Sequence, residues 1–268
     1  MTESKPAGAT APLLKRWKSL SWEEMARENP MLAVMTSDDM VAAPPSGFTP
    51  ELLEVFFHKG RRLYRRKLAG FLAHSPDPRP EALVVEYGCG MGRLLKPVAE
   101  AGYRCAGIDI SPTMLEHCRA LVPEVEGLYG LDEHGRSALP DGCASVVYSY
   151  AVVQHIDTLS RYMTAFDEMC RLLKPGGLLA VQLNCKDFEQ GDFTNPGRTE
   201  NHETWSLHWP PGGAAEPVRH EQSHWSGVYI GYETICERLR SHGVRPEAWS
   251  FHNPAKLVSV WLVALKRA

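Results

Sequence analysis

Residues 86–93 read Glu-Tyr-Gly-Cys-Gly-Met-Gly-Arg and follow directly on the apolar run 82–85. A buried strand that ends in alternating glycines, before a helix-compatible segment at 94–101, predicts a tight strand-to-helix turn whose bare backbone can lie against a flat nucleoside. A dinucleotide fingerprint needs glycine at its sixth position, where this chain has Arg93, and Glu86 places an acid where a pyrophosphate would be unfavourable. The stretch therefore indicates a cationic or hydroxyl-rich nucleoside ligand.

A carboxylate stands at the end of the next predicted strand. The apolar residues 103–108 lead into Asp109, and in an open parallel sheet this places the carboxylate beside the glycine turn, where it can accept two hydrogen bonds from ribose hydroxyls. Asp109 is also compatible with capping the helix that begins near Ser111-Pro112. Ser111 is the better cap, so we favour the ribose role.

A third signature runs from residue 139 to residue 183. Leu-Pro-Asp-Gly at 139–142 predicts a turn, 144–150 a strand, and 158–173 a helix that Lys-Pro-Gly-Gly at 174–177 brings to an end. The mostly apolar residues 178–183 predict a further buried strand. Strands that alternate with helices in this way are typical of an α/β protein.

Together these motifs resemble the class I S-adenosylmethionine-dependent methyltransferases, of the bacterial small-molecule type. The resemblance is close over residues 80–185. It implies a Rossmann-like α/β fold, with a mostly parallel seven-stranded sheet and helices on both faces, and S-adenosyl-L-methionine as the cofactor. It also implies that Gly88 and Gly90 line the methionine moiety, that Asp109 holds the ribose and that Ile110 flanks the adenine. Asp132 is our candidate for the adenine amino group, and the cofactor-binding set is completed by Glu86, Cys89, Arg93, Met114 and Tyr150.

Composition narrows the class of partner. A net charge of −3 and a pI near 6.4 give no electrostatic footprint for nucleic acid. Seven cysteines without a Cys-x-x-Cys pair indicate a reduced, cytoplasmic protein, and no stretch is long and apolar enough to cross a membrane. We expect a small-molecule acceptor, and the oligomeric state stays open.

The chain divides into a core and two additions. We expect a disordered tail at 1–12, an N-terminal helical cap at 13–75 and a methyltransferase core at 76–268, interrupted by a lid insertion at 185–228. We interpret the basic residues at 61–67 as a solvated helix face, and the alternative is an arginine that clamps the cofactor carboxylate or an anionic substrate. The insertion is polar but rich in aromatic residues, which indicates either a substrate lid or an ordered surface excursion. Our substrate-binding candidates are Trp205, His208, Trp209, His224 and Trp225.

Transfer of a sulfonium methyl requires an acceptor held in line and shielded from water. Tyr150 ends the strand 144–150 and His155 follows it. Both are our catalytic candidates, His155 as a base if the acceptor is a hydroxyl. His155 is equally compatible with a core or capping role, and the histidines of the lid insertion are alternative candidates for the base.

His-Glu-Gln-Ser-His at 220–224 matches a zinc-hydrolase motif, but the residues on either side of it do not favour a helix, so we expect no metal.

These residues predict methyl transfer to O or N of a small molecule, with C left open. The rival functions are a nicotinamide-dependent oxidoreductase, which Glu86 and Arg93 disfavour, and an adenosylmethionine-binding protein that does not methylate.

Overall fold

The architecture was obtained from a computed structural model. It describes residues 20–34, 48–73, 75–77, 79–185, 198–199, 202–203, 218–222, 225–229, 232–252 and 258–267. The predicted tail at 1–12 lies outside these residues, and the predicted domain boundaries stay predictions. Among the described residues, no helix combines the length and the apolar character that crossing a bilayer requires.

The N-terminal region is helical where it is described, as predicted. Helix α1 covers Trp22–Glu28 and α2 covers Pro30–Val34. Helix α3, Pro50–Leu63, begins at the cap Thr49 and continues through a π-helical turn, Tyr64–Leu68, into α4, Ala69–Ala73. Ser21 and Glu24 form a reciprocal capping box at the start of α1, so two otherwise unpaired backbone groups are satisfied there.

The core alternates strands and helices. Its elements up to the insertion are β1 Val84–Tyr87, α5 Leu95–Glu100, β2 Cys105–Ile108, α6 Pro112–Leu121, β3 Gly127–Tyr129, β4 Ala144–Ser149, α7 Leu159–Leu172 and β5 Leu173–Cys185. After the insertion, which contains the short strands β6 to β9 described below, come α8 Tyr232–Ser241, β10 Val244–His252 and β11 Val258–Lys266.

Within the described residues one seven-stranded sheet has the order β10-β11-β5-β4-β1-β2-β3. Neighbouring strands from β3 to β5 pair in parallel, whereas β11 is antiparallel to both β5 and β10. The predicted mostly parallel, seven-stranded Rossmann-like sheet is confirmed. β5 begins five residues earlier than its predicted start at 178, because Leu173 already pairs with Ala144 before the ladder shifts register.

Two apolar clusters, one on each face of the sheet, confirm the predicted helices on both faces. Successive residues of β1 point to opposite clusters, Val84 to one and Val85 to the other, as the two-residue period of a strand requires. Helices α7 and α8 cover the Val85 face. Helices α1, α3, α5 and α6 cover the Val84 face, so the N-terminal helices complete one layer of the core rather than standing apart from it.

The described parts of the insertion are short strands: β6 Arg198–Thr199, β7 His202–Glu203, β8 Val218–Gln222 and β9 Trp225–Tyr229. β8 and β9 form an antiparallel hairpin. His220 and Glu221 therefore lie in a strand, whereas the zinc-hydrolase motif needs a helix to bring its two histidines onto one turn. The predicted unsuitability of this segment for that motif is confirmed.

Candidate cofactor and acceptor site

The strand order reverses between β1 and β4, which lie side by side at the centre of the sheet. Ligands of open α/β sheets bind outside the carboxyl ends of the strands at such a point. β1 ends at Tyr87, immediately before the glycine turn, and β4 ends at Ser149, immediately before Tyr150. The two stretches that the sequence singled out therefore meet at one edge.

The glycine turn has the backbone that the sequence predicted. Gly88, Gly90 and Gly92 have φ angles of 78°, 50° and 81°, a region that favours glycine. A Cβ atom at Gly88 would lie 2.3 Å from a methyl group of Val152, and one at Gly90 would lie 2.8 Å from a methyl group of Val34. Glycine is thus required both for the turn and for the close approach of neighbouring side chains.

Asp109 ties this turn to the next helix. Its Oδ2 accepts a hydrogen bond from the Gly90 amide at 2.8 Å, and its Oδ1 accepts one from the Ser111 amide at 2.9 Å. Burial raises the pKa of Asp109, although these backbone hydrogen bonds oppose the rise. The cap of α6 is Ser111, whose Oγ accepts from the Met114 amide at 3.1 Å, so the capping alternative for Asp109 is wrong.

The surroundings of Asp109 fit an adenosine. A carboxylate has about four acceptor positions, of which the two backbone amides use two, so capacity for ribose hydroxyls remains. The adjacent Ile110 side chain is 65% exposed, unusual for a large apolar group, and can lie against a planar base. Asp132 lies beyond β3 on an exposed turn, where its Oδ1 accepts from the amides of His134 and Arg136 at 2.9 and 2.8 Å. Its contact with adenine stays a prediction.

Two buried ionisable side chains lie beside the turn. Glu86 is only 3% exposed and accepts a hydrogen bond from the Tyr148 hydroxyl at 3.0 Å, and burial raises its pKa well above the ordinary value. Arg93 lies with its guanidinium carbon 5.5 Å from the centre of the Tyr150 ring, and burial lowers its pKa. Its Nε is buried and has no hydrogen-bond partner among the residues that the structure describes.

An unsatisfied, buried N–H group on a cation is costly unless an anion completes it. The zwitterionic methionine end of S-adenosylmethionine supplies both a carboxylate for Arg93 and an ammonium for Glu86, so the residues present fit this cofactor. Cys89 and Met114 are buried in the apolar cluster beneath the turn and shape its floor.

The acceptor edge follows β4. The Tyr150 ring stacks on Trp261 with centroids 5.6 Å apart, and Ala151 has a φ of 58°. His155 ends a 3₁₀ turn, Val153–His155, and its ring lies edge-on to Trp22 of α1 at 5.4 Å. Strand β9 of the insertion packs beside this turn.

Comparison with known proteins agrees with this geometry. A family profile described as a methyltransferase domain matches residues 85–181. Over residues 85–181 the chain therefore carries a methyltransferase domain, and its motifs are those of the class I S-adenosylmethionine-dependent type. The alternative of a nicotinamide-dependent oxidoreductase has no support from this match.

Individual relatives are distant. A 2-methyl-6-phytyl-1,4-hydroquinone methyltransferase of Synechocystis is 31% identical over 104 residues, which are 38% of this chain but only 32% of that protein. A trans-aconitate 2-methyltransferase of Streptomyces avermitilis is 28% identical over 222 residues, covering 78% of this chain and 73% of that protein. The magnesium protoporphyrin IX methyltransferase of Synechocystis, solved with bound S-adenosylhomocysteine, shares the fold with a TM-score of 0.54 at 16% identity, over 97% of this chain and all of that one.

Several residues of the methyltransferase site were not singled out from the sequence. Glu23 of α1 accepts hydrogen bonds from the hydroxyls of Ser111 and Thr113, both at 2.6 Å, so α1 is fastened to the start of α6. Burial alone would raise the pKa of Glu23, but these hydrogen bonds outweigh it and lower the pKa to about 2. Val34 of α2 likewise joins the N-terminal helices to the site, since its side chain packs against Gly90 of the glycine turn. The only signal in the sequence was the helical pattern of the N-terminus, which does not say where the helices dock.

Four of the substrate-binding candidates, Trp205, His208, Trp209 and His224, lie outside the described residues. Trp225 begins β9, and only its backbone is described. Their roles stay predictions, as do those of His155 and Tyr150 in catalysis.

Proposed function

We propose that this methyltransferase transfers the methyl group of S-adenosyl-L-methionine to O or N of a small-molecule acceptor by in-line displacement. The observation that carries the proposal is the meeting of two features at the β1/β4 edge. The glycine turn with Asp109 suits an adenosine with a zwitterionic tail, and the Tyr150–His155 segment borders the place where the reactive methyl would emerge.

When bound, the cofactor supplies a sulfonium methyl that is already activated for transfer. The chain's own residues then have to bind the cofactor and the acceptor, orient them in line and exclude water. We assign the methionine end to Gly88, Gly90, Glu86 and Arg93. Asp109 is assigned to the ribose, and the adenine to Ile110 with Asp132.

The acceptor side is assigned to the segment after β4 and to the insertion 185–228. Tyr150 and His155 would border the acceptor on the side of the sheet, and the aromatic and histidine candidates of the insertion would cover it. The position of β9 beside the 3₁₀ turn supports this arrangement. The relatives named for trans-aconitate and for a hydroquinone support a small acceptor with oxygen functions.

Calorimetric titration tests the cofactor assignment. S-adenosylmethionine and S-adenosylhomocysteine are expected to bind and NAD is not. Arg93→Gln is expected to weaken S-adenosylmethionine binding by about 1.5–3 kcal/mol, the range for a hydrogen bond to a charged group. Arg62→Gln, a change at an exposed arginine of α3, serves as the control and should leave affinity unchanged. Binding of NAD without any response to S-adenosylmethionine would overturn the proposal.

A screen for acceptors completes the test. The protein is incubated with S-adenosylmethionine and fractionated small-molecule extract, and products are sought by a mass gain of one methyl group. Fragmentation of the product then distinguishes O- and N-methylation from methylation at carbon. A cytoplasmic location and the absence of nucleic-acid or membrane partners stay predictions from cysteine content and charge.

A further inference from the structure

A chain of three side-chain amide and imidazole contacts starts at the strained residue after β4. Ala151 has a φ of 58°, and it is the one residue other than glycine with a positive φ in the described part of the chain. Its backbone N–H donates to Oε1 of Gln182 at 2.8 Å. A backbone N–H can only donate, so it determines which end of the Gln182 amide faces it.

The orientation of Gln182 passes to Gln154. Gln182 lies on β5, opposite Trp261 of β11, and is only 5% exposed. Because its Oε1 is held by Ala151, its Nε2 faces Gln154 and donates to Oε1 of that residue at 3.3 Å. The second amide is thereby oriented as well.

The last of these three contacts is made to the imidazole of His155. With its Oε1 engaged, Gln154 turns its Nε2 toward Nε2 of His155, at a distance of 3.2 Å. An amide nitrogen donates and does not accept, so the imidazole Nε2 must be the acceptor. A neutral histidine that accepts at Nε2 carries its proton on Nδ1.

We propose that Gln182 is a positioning residue, which acts through Gln154 to hold His155 in the tautomer protonated on Nδ1. In this state the Nε2 lone pair is occupied by Gln154, and the proton lies on Nδ1, which is buried. His155 is therefore not available as a base at Nε2. Rotating the Gln154 amide to release the lone pair would set its Nε2 against Nε2 of Gln182, two donors face to face.

The tautomer protonated on Nδ1 limits which molecules can accept the methyl group, a consequence that rests on the proposed function. If His155 does not remove a proton through Nε2, the methylated atom must be nucleophilic without that help. Carboxylates and other groups that are already anionic, and amines that are already neutral, meet this condition. An unactivated aliphatic hydroxyl does not.

Nitrogen-15 NMR of histidine-labelled protein tests the tautomer directly, without cofactor or acceptor. The chain has eleven histidines, and the signals of His155 are assigned by their loss in His155→Ala. The wild type at neutral pH is expected to show a protonated Nδ1 and an unprotonated Nε2. Gln182→Met, which removes the contacts to Ala151 and Gln154 at similar side-chain size, is expected to release Gln154 and give a mixture of tautomers.

Two further variants sharpen the result. Gln154→Glu places a carboxylate, which can only accept, against the imidazole and is expected to move the proton to Nε2. Ser149→Ala removes another buried hydrogen bond at the same edge, from Ser149 Oγ to the Tyr87 carbonyl at 2.9 Å, and should leave the tautomer unchanged.

A wild-type signal protonated on Nε2 would overturn the inference, whatever the variants do. A wild-type Nδ1 tautomer that survives unchanged in Gln182→Met would remove the role of Gln182. The NMR measurement involves neither methyl donor nor acceptor. A protein that fails to bind S-adenosylmethionine but shows the expected tautomers would therefore refute the proposed function, and the role of Gln182 in positioning His155 would stand.

Discussion

The substitution Gly60→Ala tests how the N-terminal helices hold the cofactor turn. Gly60 lies inside α3, where it is buried against the backbone that follows the glycine turn. A Cβ atom placed at Gly60 would lie 2.1 Å from the carbonyl oxygen of Arg93 and 3.1 Å from its Cγ. The first contact is with backbone, which cannot swing aside as the end of a flexible side chain can.

Two opposing effects determine how much Gly60→Ala changes the free energy of unfolding. Alanine is a better helix former than glycine by about 1 kcal/mol, which favours the variant. Overpacking typically costs 1–3 kcal/mol and occasionally more, and an approach this close to backbone belongs at or above about 3 kcal/mol. The net loss is therefore about 2 kcal/mol or more. For a domain of this size that corresponds to a melting temperature lower by roughly 4–8 °C.

Thermal and denaturant unfolding of the two proteins, without cofactor, provide the measurement. Gly130→Ala is the matched control, because nothing lies within 4 Å of a Cβ atom at that position. Its stability should stay within about 0.5 kcal/mol of the wild type. A Gly60→Ala protein as stable as the wild type, or more stable, would refute the close approach of α3 to the turn and leave only the helix-propensity term.

Three other predictions concern charge and metal. Burial raises the pKa of Glu86 in the folded protein, so the folded state holds a proton that the unfolded state releases above about pH 4.5, and stability should fall as the pH rises. Glu86→Gln should remove this slope and exceed the wild type in denaturant unfolding at pH 8 but not at pH 4; parallel pH profiles would contradict it. Hydrogen bonds lower the pKa of Glu23 to about 2, so its contribution is complete above about pH 4.5 and lost as the pH falls toward 2. Glu23→Gln should therefore cost about 1 kcal/mol at pH 7 and nothing near pH 2, and a deficit that persists in acid would argue against an ionised Glu23. Methyl transfer should survive treatment with EDTA, and activity lost on chelation and restored by zinc or magnesium would refute the metal-free prediction.

The parts of the site that were predicted correctly are those encoded by neighbours in the chain. Three glycines in alternation after an apolar run favour a turn with positive φ, and Gly88, Gly90 and Gly92 have it. The carboxylate of Asp109 was correctly placed beside that turn, because parallel strands of one sheet end at one edge. Even the cap of α6 at Ser111 could be derived from a local preference.

The sequence by itself determined the order of strands and helices, the cofactor turn and the family, because each depends on residue types within a few positions of one another. Only the tertiary structure decided which distant groups complete the site. Glu23 reaches Ser111 across 88 positions, and Gln182 reaches Ala151 across 31. No periodicity or motif records such contacts, since they arise from how helices and strands pack. The chemical state of His155 depends on them: a backbone N–H at Ala151 orients two amides, and the amides fix where the imidazole carries its proton.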